Sequence, residues 1–82
     1  MNIQELIEKL EEEIEEVEKG TLTPSTNIRN IDWWSSMHAL VIIALVDIEY
    51  NVQVSGKDLK EIQTIQDLYD LIVKKIDLDG IY

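Results

Sequence analysis

From Met37 to Val46 the chain is apolar at every position except His38. This run constrains the fold more than any other segment. The spacing predicts a helix from about Ser36 to Tyr50, on which Met37, Leu40, Val41, Ile43, Ala44, Leu45, Val46 and Ile48 cover more than one stripe. A helix that apolar either lies at the centre of a bundle or keeps a second face for a partner. A chain of 82 residues makes one domain, expected to span 1–82, with a modest core, so not all eight side chains can turn inwards. The run is about half the length of a membrane span, so no membrane partner is expected.

The neighbouring segments supply the rest of a bundle. Ile3, Leu6, Ile7, Leu10, Ile14 and Val17 recur at three- and four-residue spacings, with glutamates between them. That pattern predicts an amphipathic first helix with a solvated acidic face, supported by the pair Glu5–Lys9 and stopped by Lys19 and Gly20. Residues 21–35 form a long connection in which Pro24 and its Ser, Thr and Asn neighbours oppose a regular helix. Ile28 and Ile31 are expected to pin this loop across the helices.

After the apolar helix, Asn51 is placed to cap it in a left-handed conformation. Val52-Gln53-Val54 alternates like a strand but has no second strand to pair with, so it reads as a connector. Ser55, with Asp58 three residues on, starts a short helix ending near Ile62; Thr64 and Asp67 repeat the device. The last helix buries Ile65, Leu68, Leu71, Ile72 and Ile76, and the tail after Asp77 is expected to fray. The fold class is therefore all-α: three longer helices and one short one, with a long first loop.

Charge and chemistry narrow the function. Seventeen acids against seven bases give a net charge of −10, which repels phosphate backbones and argues against nucleic-acid binding. A partner with a basic face is attracted. The absence of cysteine removes disulfides, thiolate metal sites and thiol nucleophiles, and fits a cytoplasmic protein. The N-terminus opens on charged helical residues, so no signal peptide is expected. A single histidine leaves no set of metal ligands, and no Ser-His-Asp triad is evident.

Ser36 stands at the mouth of the apolar helix. There the free backbone N–H groups and the positive end of the helix dipole favour a phosphate ester. The plainer reading of such a serine is a helix cap. Trp33 and Trp34 are loop anchors or an exposed patch beside it. Met37 either touches a partner or fills a core gap. His38, two residues from Ser36, is within reach of a group carried there.

Taken together, these residues resemble the acyl carrier protein family over residues 3–76. Ser36-Met37 matches its serine and following apolar residue, with Leu40 and Ala44 further along. Tyr50-Asn51-Val52-Gln53-Val54 is similar to the family's helix end, with Asn51 in place of glycine. Thr64-Ile65-Gln66-Asp67-Leu68 is similar to the start of its final helix. Trp34 matches a subgroup, often free-standing carriers, with tryptophan two residues before the serine.

The resemblance implies a four-helix bundle that is a carrier and not an enzyme. It implies a 4'-phosphopantetheine arm on Ser36, attached by a phosphopantetheinyl transferase, with acyl groups held as thioesters on its thiol. Acyl-loading and acyl-using synthases with basic docking surfaces would be the partners, in fatty-acid, polyketide or other specialised biosynthesis. Trp34, Met37, His38, Val41 and Asp47 are the expected partner contacts, and the chain is expected to be a monomer. Two departures stand out. Ser35 replaces the usual aspartate before the serine, and His38 and Val41 occupy positions where many carriers have acids. These departures point to a more apolar partner set. They also leave open an acidic helical adaptor that has a carrier-like fold and is not modified.

Overall fold

The computed structural model describes residues 2–31 and 34–79, with side chains through residue 76. Four α-helices follow one another: α1 (Ile3–Glu13), α2 (Ser36–Tyr50), α3 (Gly56–Glu61) and α4 (Ile65–Asp79). A short 3-10 turn, Ile28–Asn30, interrupts the long loop between α1 and α2. No strand occurs among the described residues, so Val52-Gln53-Val54 is a connector as expected, with both valines buried.

The core is aliphatic and draws on every helix. Leu6, Ile7 and Leu10 of α1 meet Ile42, Leu45 and Val46 of α2, Leu59 of α3, and Ile65, Leu68 and Ile72 of α4. Ile42, absent from the expected apolar set, is 1% exposed, whereas Met37 (69%), Leu40 (65%) and Ile48 (79%) face outwards. A helix apolar all round thus buries one side and presents the other as an uncovered stripe.

The first helix ends earlier than its periodicity suggests. Ile14 is already extended, its N–H donating to the Leu10 carbonyl, and Lys19 and Gly20 lie beyond the helix. The reason is electrostatic. Glutamates crowd the last turn with no basic residue among them, against the negative end of the helix dipole. Ile14 and Val17 nevertheless stay buried, because the non-helical segment after Glu13 folds back over the core. Glu11 helps to hold this turn by accepting a hydrogen bond of 2.8 Å from the Gly20 N–H.

The long loop is tied down by backbone and side chain alike. Ile28 is buried, Ile31 packs against the core, and the Ile28 N–H donates to the Gln63 carbonyl at 2.9 Å. The first N–H groups of α4 donate back to the loop, Ile65 to Thr26 and Gln66 to Pro24. Arg29 donates to the carbonyls of Leu59 (2.6 Å) and Ile62 (3.0 Å), satisfying orphan acceptors where α3 ends. The middle of the loop is therefore fastened to the end of α3 and the start of α4.

Candidate functional site

The site is built where α2 begins. Ser35 is the N-cap residue in an extended conformation, and Ser36 is the first residue of the helix. An N-cap serine normally accepts a hydrogen bond from a backbone N–H of the first turn. Ser35 does not, because its hydroxyl is paired at 2.8 Å with Nδ1 of His38. The other imidazole nitrogen, Nε2, lies 2.6 Å from Oε2 of Glu16.

The roles in this chain of bonds follow from the acid. The His38 bond holds the Glu16 carboxyl below the usual carboxylate range, so it is ionised and only accepts. Nε2 therefore carries the proton and donates to Glu16. In the neutral imidazole Nδ1 is then the acceptor, and the Ser35 O–H donates to it. The Trp34 ring stacks on the imidazole, with centroids 6.3 Å apart and planes inclined at 29°. The His38 side chain is only 15% exposed.

Ser36 is different. It is exposed, and its hydroxyl makes no hydrogen bond among the described residues. The same holds for the backbone N–H groups of Ser36 and Met37, which point out of the open end of the helix. A free hydroxyl thus sits next to two free donors and the positive end of a 15-residue helix. That arrangement suits a phosphate ester.

Below Ser36 the same helix face carries Leu40, Ile43, Ala44 and Asp47, four, seven, eight and eleven residues on. With Val54 and Lys75 they line a groove of about 590 Å³ between α2 and α3. Its lining is mixed, Leu40, Ile43, Ala44 and Val54 beside Asp47, Gln53, Ser55, Asp58 and Lys75, with Lys75 paired to Asp58 at 3.3 Å.

The expected contact residues are distributed unevenly around this site. Met37 is exposed beside Ser36 and so fills no core gap. Trp34 is half-buried and packs against the core, as an anchor would, while Trp33 lies outside the described residues. Val41 is half-buried, and Asp47 is exposed on the groove. His38 is committed to Ser35 and Glu16 through both ring nitrogens instead of being turned to Ser36. No Ser–His–acid chain is evident in the sequence, yet the structure contains one, through Ser35 and Glu16. Its local half, serine and histidine three apart across a helix start, was legible; its acid lies 22 residues away in the chain. Among the described residues no group of side chains is arranged to hold a metal ion, and no helix is long and apolar enough to cross a membrane.

No protein-family model and no curated protein matches the chain. Among solved structures it is similar to the holo acyl carrier protein from Geobacter metallireducens, determined by solution NMR. The two share 21% sequence identity with a TM-score of 0.79, over 98% of this chain and 91% of the other. Four helices in this order, a long pinned first loop and a serine at the mouth of α2 are thus not a generic small bundle: the chain has the acyl carrier protein fold.

Proposed function

We propose that this single domain is a carrier of acyl intermediates, modified with 4'-phosphopantetheine on Ser36. The observation that carries this reading is the free Ser36 hydroxyl at the open N-terminus of α2 in an acyl-carrier fold. The residues present suit the group. The unpaired Ser36 and Met37 N–H groups favour the negative diester, with a dipole contribution of about 0.3–1 kcal/mol. The arm supplies the thiol for a thioester, which a chain without cysteine lacks. The groove further along the same helix face offers that arm the apolar side chains of Leu40, Ile43, Ala44 and Val54.

A phosphopantetheinyl transferase and acyl-handling synthases are the partners of such a carrier. Here the uncovered stripe of Met37, Leu40, Ala44 and Ile48 supports a docking face that is more apolar than acidic. The charge of −10 favours basic surfaces around that stripe and disfavours self-association, so the carrier is a monomer working in the cytoplasm.

The test is intact-mass spectrometry after incubation with coenzyme A, magnesium and a broad-specificity phosphopantetheinyl transferase. One added phosphopantetheine group, lost in Ser36→Ala and kept in Ser35→Ala, is the expected result. No addition with that enzyme, or with the source organism's own, would place the unmodified adaptor ahead.

A further inference from the structure

Ser35, His38 and Glu16 form a nucleophile, a base and an orienting acid in one chain of hydrogen bonds of 2.8 and 2.6 Å. This is the order of roles that activates a serine for acyl transfer, recognised by geometry and not by sequence position. Three features go beyond helix capping. The Ser35 hydroxyl forgoes the backbone bond that an N-cap serine ordinarily takes. With Nε2–H donated to the acid, the neutral imidazole faces that hydroxyl with the lone pair of Nδ1. The N–H groups of Ser36 and Met37, directly after the nucleophile, have no partner among the described residues and are donors available to a developing oxyanion.

We propose that Ser35 is the nucleophile of an acyl-transfer site acting on small activated acyl esters and thioesters. Ser35 Oγ attacks the carbonyl carbon as its proton passes to His38 Nδ1. The tetrahedral oxyanion collapses, the carbon–sulfur bond breaks, and the thiolate leaves with the proton from Nδ1. The acyl group is then an ester on Ser35. Water attacks that ester, giving its proton to Nδ1; the carboxylic acid departs and Ser35 Oγ recovers the proton. Net, one thioester and one water become one acid and one thiol. Glu16 is a positioning residue that acts through the imidazole. Ser35 is exposed, so the site takes small acyl groups presented from outside.

The unmodified protein tests this with p-nitrophenyl acetate, so the result does not depend on whether Ser36 carries an arm. The expected result is protein-dependent release of p-nitrophenolate, with the transient acetyl group located on Ser35 by tandem mass spectrometry. Ser35→Gly, which keeps a good cap residue, and His38→Gln each lower the rate at least about tenfold, within what a positioned base contributes. Ser25→Ala, a remote loop serine, leaves it unchanged. For Glu16→Gln, the nitrogen NMR shifts of His38 report a changed tautomer population alongside a lower rate, which a merely structural role would not produce. Equal rates for wild type and Ser35→Gly, or acetylation elsewhere than Ser35, would overturn the proposal.

Discussion

Ile42 and Ile48 carry the same side chain on the same helix at 1% and 79% exposure. Truncating the first leaves a cavity in the aliphatic core; truncating the second leaves only solvent. Ile42→Ala is expected to cost about 3 kcal/mol, as buried aliphatic truncations do. Ile48→Ala should stay within about 0.5 kcal/mol, the usual range for surface changes. Urea unfolding followed by circular dichroism separates the two. An equal loss at both positions would mean that the Ile48 face is covered in solution. Within Met37–Val46 the pattern does not tell the inward face from the outward one, because nearly every position is apolar and the period carries no phase.

At the scale of the element, helix starts were the most legible part of the chain. Ser55 and Asp58 satisfy each other's backbone N–H groups at 3.1 and 3.0 Å at the start of α3. Thr64 and Asp67 do the same before α4, where Asp67 also accepts from Gln63. These devices span four residues, so sequence alone reveals them. Ser55→Ala and Thr64→Ala should each lower stability by about 1 kcal/mol, measured as a fall in Tm. The end of α1 was not legible in the same way. An apolar period continues through Val17, but the glutamates end the helix at Glu13 and the later residues reach the core by a different path.

On the scale of the whole molecule, the net charge of −10 sets the response to salt and acid. Mutual repulsion among carboxylates opposes compactness, and salt screens it. The exposed pairs Lys9–Glu49 and Lys75–Asp58 weaken too, but such pairs contribute only about 0–1 kcal/mol each. Thermal unfolding should therefore show Tm rising with added sodium chloride near neutral pH. Acid acts in the opposite sense. Glu16 is held low by His38, Asp58 by the Ser55 N–H, and Asp67 by the Gln63 and Thr64 N–H groups. A carboxyl depressed in the folded state contributes stability above its unfolded value, and that contribution is lost as pH falls through the folded value. Tm should thus fall below about pH 4, where ordinary carboxylates begin to protonate. A Tm unchanged between neutral pH and that range would show that these bonds contribute little.

The sequence by itself determined what is local: the apolar helix and its left-handed cap at Asn51, the two capping boxes, the connector and the serine at the mouth of α2. Each is written within a few residues, where periodicity, φ preference and side-chain reach act directly. Only the tertiary structure decided which face of α2 is buried, where α1 stops, and which of the two adjacent serine hydroxyls is hydrogen-bonded. The register of the sequence with Met37 and Tyr50 favours Ser36 over Ser35 as the carrier serine, but it says nothing of what pairs with either hydroxyl. The two differ because the segment after Glu13 folds back and brings Glu16 to His38, which takes up one hydroxyl and leaves the other free.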